Sequence, residues 1–190
     1  MSAWELPTSL CVGGKDWKIR TDFRAILDIL RYFSDLEYEP DERWEICLDI
    51  LFENYADMPE RIKGEAAKQA VWFIDMGMEK DDRKRPAVMD WEKDAPVIIP
   101  AVNGVIGKEI RLQDYMHWWT FLGAYMEIKE GLFCQIVSIR QKMAKGKKLD
   151  KWEQEFLREN RSLIEIKPKK AERSEEEKEE LRQFFGYKGR

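Results

Sequence analysis

At 190 residues the chain has the length of one domain, or of one domain with a tail, and 44% hydrophobic residues with 12% aromatics suffice to bury a core. Its charged fraction of 37% stands above the roughly 25% usual in soluble domains, so the surface is densely charged. The formal net charge of −4 excludes a global attraction to nucleic acid or anionic membrane, and no apolar run nears the roughly 18 residues of a membrane span.

The N-terminus, MSAWELPTSL, has no basic segment followed by an apolar one, so no signal peptide is expected. SLCVGGKDWKIR reads as a small hairpin, in which Gly13-Gly14 supplies the positive φ angles of a tight turn. In TDFRAILDILRYF, Phe23, Ile26, Leu27, Leu30 and Phe33 recur at helical spacing, with Thr21 or Asp22 as N-cap. After Glu39-Pro40 a second helix carries Trp44, Cys47, Leu48, Leu51, Phe52 and Tyr55. A third begins near Pro59 and places Ala66, Ala70, Phe73 and Ile74 on one side. Stripes of this kind are core before they are sites.

The segment MEKDDRKRP, residues 78–86, has no apolar anchor beyond its first residue. It is read as a charged loop joining sub-parts 1–77 and 87–166 of a single helical domain. DWEKDAPVIIPAVNGVIG follows as a helix capped by Asp94, with Pro96 tolerated in its first turn and Pro100 expected to kink or delay it. Further helices are expected from Tyr115 to about Lys129, Leu132 to about Ala144 and Asp150 to about Leu163. Pro168 ends the pattern. The charged tail 167–190 holds one more short amphipathic helix, capped by the Ser174–Glu177 box and carrying Leu181, Phe184 and Phe185. The fold class is mainly α, with six to eight helices and a small N-terminal β-hairpin.

Catalytic chemistry has little to work with. A single histidine, His117, rules out paired-histidine metal sites, and Cys11, Cys47 and Cys134 lack C-x-x-C spacing. Three scattered thiols fit a reducing cytoplasm. GVIGKE has two residues between its glycines where a phosphate loop has four, and Glu109 stands where a hydroxyl would hold magnesium. A helix C-cap at Gly104 or Gly107 is the alternative. Asp81-Asp82 and Asp90-x-Glu92-x-Asp94 lack the central glycine of a calcium loop and read as solvated acids. No catalytic residue, metal or cofactor is expected. Residues 140–173 hold twelve lysines and arginines against six acids, a balance of +6. That leaves nucleic-acid binding as an alternative, although the interspersed acids of DKWEQEFLRENR look like a salt-bridged exposed helix.

MHWWTFLGAY, residues 116–125, is the densest aromatic block. On a helix advancing ~100° per residue, Trp118, Phe121, Leu122, Tyr125 and Met126 share one face and Trp119 joins its edge. His117 falls at the other margin, near a helix start set by Asp114, and is expected to be half-buried with one nitrogen free to bond to backbone or water.

Several blocks together resemble the phage family called gene product fifteen, found in tail gene clusters of long-tailed phages and prophages. They are the Asp94-led helix, Met116-His117-Trp118-Trp119 with Phe121, the Ile139-Arg140 pair, the Gly146-Lys147-Lys148-Leu149 turn, and TDFR with its amphipathic helix. The resemblance covers nearly the whole chain and is weaker after Pro168. Members of this family lie just upstream of the tape-measure gene, where tail assembly chaperones are found. The resemblance therefore implies a cytoplasmic chaperone, absent or scarce in the virion, that binds the tape-measure protein and yields it to the tail tube protein. Candidate partner-binding residues are Leu181, Phe184 and Phe185, which dock on their own core or form a partner site, together with Trp118 and Trp119. A structural tail component and a nucleic-acid-binding regulator are the alternatives. Stoichiometry stays open.

Overall fold

The computed structural model describes residues 4–35, 37–79 and 86–166. A hairpin, β1 (Ser9–Val12) and β2 (Lys15–Lys18), opens the chain. It pairs antiparallel from Ser9↔Lys18 to Val12↔Lys15. Gly13 and Gly14 turn it with φ of 60° and 75°, values that a side chain would make costly. Leu10, Val12 and Trp17 point inward while Cys11 is exposed, the alternation expected of a half-buried strand.

Among the described residues eight helices follow: α1 (Phe23–Ser34), α2 (Pro40–Leu51), α3 (Glu60–Ile74), α4 (Ala95–Ile106), α5 (Trp118–Met126), α6 (Leu132–Ala144), α7 (Lys151–Glu159) and α8 (Arg161–Ile164). The mainly helical class with an N-terminal hairpin is as the periodicity indicates. Asp22 caps α1 by accepting from the Arg24 N–H at 3.0 Å. The deepest face of α1 is Phe23, Ile26 and Ile29. Leu27, Leu30 and Phe33 are half-buried beside it, so the buried face is rotated toward Ile29 relative to the expected stripe. The open C-terminal carbonyls of α2 are met by Arg20, whose Nη1 donates to Asp49 and Ile50, each at 2.8 Å.

Several details differ from the sequence reading, among them the end of α2 at Leu51, which leaves Phe52 and Tyr55 outside it. Pro100 does not delay α4, which begins at Ala95 and runs through it. The carbonyl deprived of a partner belongs to Pro96, an exposed residue, so solvent satisfies it. Helix α5 begins at Trp118 instead of Tyr115, because residues 116–118 are committed to pairing with α1's entry strand. The segment expected to be one helix from Asp150 breaks at Asn160 (φ −119°, ψ 36°) into α7 and the single turn α8. Gly107 ends α4 in the left-handed region at φ 75°, one of the two C-caps foreseen.

The core is continuous across the charged segment. Residues from Leu10 through Phe73 and from Ile98 through Phe133 form one buried cluster, and Phe23 of α1 stacks on Phe121 of α5 with centroids 4.7 Å apart. A smaller cluster of Ile136, Ile139 and Ile164 holds α6 to α8, with Val97 touching both clusters.

Asp94 was read as the cap of α4, and it does occupy that position, but its side chain makes no capping bond. The carboxylate instead takes Arg140 bidentately, at 2.6 and 2.8 Å, and the Asp90 N–H at 2.9 Å. Both side chains are at most 5% exposed. Arg140 spends its remaining donors on the carbonyls of Ile164 (2.8 Å), Leu163 (2.6 Å) and Val88 (3.1 Å). All five N–H groups of the guanidinium are thus satisfied. The Ile139-Arg140 pair of the sequence is one core residue beside one buried clamp.

Removing one partner of a buried ion pair leaves the other uncompensated, at a cost of roughly 3–5 kcal/mol. Asp94→Ala should lower stability by that much in urea denaturation. Arg140→Lys should not preserve stability, because an ammonium cannot span two carboxylate oxygens and three carbonyls. Near-wild-type midpoints for either variant would show the clamp to be dispensable.

Candidate functional site

The aromatic block does its structural work through polar atoms. His117 occupies the N-cap of α5, and its Nδ1 accepts from the Trp119 N–H at 3.0 Å. Its Nε2 therefore carries the proton and donates to the Pro7 carbonyl at 3.0 Å. At 3% exposed it is buried, not half-buried, and both nitrogens bond to backbone. Burial pushes its pKa below the ordinary 6.5, opposed by the Pro7 carbonyl. A neutral imidazole with both nitrogens engaged is a cap and a tether for the N-terminal arm.

The two tryptophans act on α3. Trp118 Nε1 donates to the Ile74 carbonyl and Trp119 Nε1 to the Phe73 carbonyl, each at 2.8 Å. These are the last two residues of α3; the Phe73 carbonyl also accepts from the Met76 N–H at 3.2 Å, and the Ile74 carbonyl lies past the last turn that could bond it. Trp118 is 1% exposed, so it is a core residue. Trp119 is half-buried and meets Trp72, itself 40% exposed, edge to face at 5.4 Å. Leu181, Phe184 and Phe185 lie outside the described residues.

Other sequence candidates resolve into structural roles. Burial raises the Cys47 thiol to about 12, far from a reactive thiolate. In GVIGKE the Glu109 carboxylate bonds Arg111 and Asn103 and is held down to about 2, chiefly by Arg111. It is therefore a fixed negative charge. Asp90 Oδ1 accepts the backbone N–H groups of Glu92 and Lys93, while Asp94 belongs to Arg140. Among the described residues no group of three or more His, Cys, Asp or Glu is placed to hold a metal ion, and no helix is long and apolar enough to cross a membrane. The basic C-terminal helices carry internal pairs such as Lys142–Glu153, Arg158–Glu155 and Arg161–Glu165.

A concave surface lies around Trp91, which the periodicity did not mark. Trp91 sits in a short turn between charged neighbours and lays its ring near Tyr125 (4.8 Å), Phe121 (6.1 Å) and Trp118 (6.2 Å). On one side is a groove of about 350 Å³, walled by Leu27, Leu30 and Arg31 of α1 and by Met89. On the other is a groove of about 310 Å³, walled by Leu30, Ile74, Met78 and Leu122. A lone tryptophan in a charged stretch was the available signal. It belongs to no helical stripe, so spacing alone could not find it.

Trp118→Ala should cost roughly 3–5 kcal/mol in urea denaturation. Trp118→Phe keeps the ring but strands the Ile74 carbonyl, and should cost about 1–3 kcal/mol. A stable Trp118→Ala protein would show that the block is not core. The lowered pKa of His117 sets a sign for pH. The neutral form is favoured by folding, so its contribution is fully present above 6.5 and is lost as pH falls through the folded-state value. Melting temperature should drop between pH about 7.5 and about 5, and the drop should be smaller in His117→Asn.

Comparison with curated proteins gives no match, and neither does comparison with solved structures. The family described as bacteriophage Gp15 protein matches residues 4–166, a span that includes the hairpin, the aromatic block, the Trp91 groove and the Arg140 clamp. The chain belongs to the bacteriophage Gp15 protein family.

Proposed function

We propose that the chain is a phage tail morphogenesis protein, a tail assembly chaperone that binds the tape-measure protein before the tube polymerises. It acts by binding and not as an enzyme. Family membership makes it a phage protein, and the Trp91 groove is the observation that supports a binding role. A tape-measure protein is a long helical chain with apolar stripes, prone to self-association. The groove offers aliphatic and aromatic walls on both sides of one ring, the form that takes a single helix face. Its two halves share Leu30 and Trp91, so successive anchors of one helix can straddle that ridge. Such a contact is smaller than a full protein interface and suits release when tube subunits compete.

Co-expression with the adjacent tape-measure protein should raise its soluble fraction and yield a complex that survives purification. Leu27→Asp puts a charge on the groove wall at a half-buried site. It should reduce capture at least about tenfold, or 1.4 kcal/mol, when assayed well below its lowered melting temperature, where the variant is folded. An insoluble tape-measure protein with no complex would sink the reading. Mass spectrometry of virions should find the chain scarce, and stoichiometric recovery would make it a structural component instead.

A further inference from the structure

The turn between α6 and α7 carries charge that the fold does not use. Residues 142–153 hold five lysines against Asp150 and Glu153, a balance of +3. Glu153 is buried and takes Lys142, while Asp150 caps α7 by accepting the Glu153 N–H at 2.8 Å. Lys145, Lys147, Lys148 and Lys151 are exposed, and among the described residues none of them has an ion-pair partner. Gly146, left-handed at φ 63°, ends α6 in a tight turn closed by the Lys147 N–H on the Lys142 carbonyl at 2.9 Å. The four ammonium groups thus spring from one connection that spans at most roughly 20 Å.

Local folding explains only part of this. The macrodipole favours cations at a helix C-terminus, which accounts for Lys142 and Lys145 on α6. Lys147, Lys148 and Lys151 stand on the approach to α7 and in its first turn, where the same effect repels them. Trp152 beside them is equally unexplained by packing. It is 50% exposed, belongs to neither buried cluster, and stacks on Phe156 at 5.2 Å. Phe156 packs on the cluster of Ile136, Ile139 and Ile164, so the indole is braced from the core side while half its surface stays open. The next acid along α7, Glu155, is paired with Arg158.

A braced, open indole among unpaired lysines is the combination that holds single-stranded nucleic acid. Ammonium groups take phosphates, and an unpaired base stacks on the ring. An acidic protein surface would engage the lysines and leave the indole without a base. The net charge of −4, to which five glutamates in residues 174–180 contribute, weakens long-range attraction. Fields decay within ~8 Å at physiological salt, and over that range the turn's own positive balance prevails.

We propose that the α6–α7 turn is a second binding site, for single-stranded nucleic acid. Lys145, Lys147, Lys148 and Lys151 hold its phosphates and Trp152 stacks one of its bases. The site shares no residue with the Trp91 groove and does not rest on the chaperone reading.

The test is fluorescence anisotropy of the full-length chain with a labelled oligothymidylate about 15 nucleotides long. Affinity should fall roughly 20- to 50-fold between about 50 and about 200 mM salt, the slope for three to four phosphates on a single strand. Lys147→Glu combined with Lys148→Glu should weaken binding at least about tenfold. Trp152→Ala should weaken the single strand at least about fivefold and spare a duplex of the same length. Trp152→Phe, which keeps a stacking face, should recover most of that loss. Each variant is assayed well below its melting temperature. Four results would each overturn the proposal: no binding at about 50 mM salt, an affinity indifferent to the two lysines, a Trp152→Ala effect that is absent or equal on duplex, and displacement of the strand by polyglutamate at equal charge concentration. The last would mark the turn as a surface for an acidic protein.

Discussion

Everything in this fold hangs on one short antiparallel contact between residues 94 positions apart in the chain. The Phe23 N–H donates to Met116 at 2.9 Å and the Trp118 N–H to Thr21 at 2.7 Å, while Asp22 accepts from the Met116 N–H at 3.0 Å. Two helices, α1 and α5, thereby start from one shared strand pair, which sets them side by side and brings Phe23 onto Phe121. The same few residues hold three other parts of the chain. His117 ties down the N-terminal arm at Pro7, and the two indole N–H groups close the end of α3. Arg24 extends the junction by pairing with Asp22 and donating to the Gln113 carbonyl at 2.6 Å. Buried donors and acceptors left open cost far more than a made bond returns, so a junction satisfying this many termini at once has little freedom to change.

The Asp94–Arg140 clamp plays the matching part at the other end. One guanidinium joins the start of α4, the middle of α6, the end of α8 and the turn before α4. A buried ion pair is weak evidence of stability in itself, since desolvation offsets most of the attraction. Its value here is positional. A rigid five-donor fork accepts only one arrangement of those four segments, and that arrangement aims Ile166 into the cleft beside Asp90. Packing around the clamp thus decides where Ile166 lies.

Between junction and clamp sits Trp91, and the groove on either side of it is a product of both. Its floor is α5, placed by the strand pair; its wall is α1, placed by the same pair; its mouth lies at the turn fixed by the clamp. The groove is an apolar shape with a charged rim. The lone histidine, the buried Cys47 and the Asp90–Asp94 pair have structural employment.

Local physics was enough to write most of the element order. Period-two alternation with Gly13-Gly14 made the hairpin legible, and apolar spacing of three and four made the helices legible. Even so, the partners of the residues with the most consequence were not legible. His117 was placed on a helix margin, and Asp94 stands at the N-cap of α4 as expected but spends its side chain elsewhere, because both assignments use neighbours in sequence. Their true partners are Pro7 at a separation of 110 and Arg140 at a separation of 46. Trp91 escaped notice for the same reason, having no helical stripe to join. Periodicity and turn chemistry are properties of a few consecutive residues, so the sequence alone determined the helical class, the hairpin and the family. Which carbonyl a ring nitrogen meets, where a helix starts against a distant strand and which walls enclose a groove depend on groups brought together by folding. Only the tertiary structure decided those.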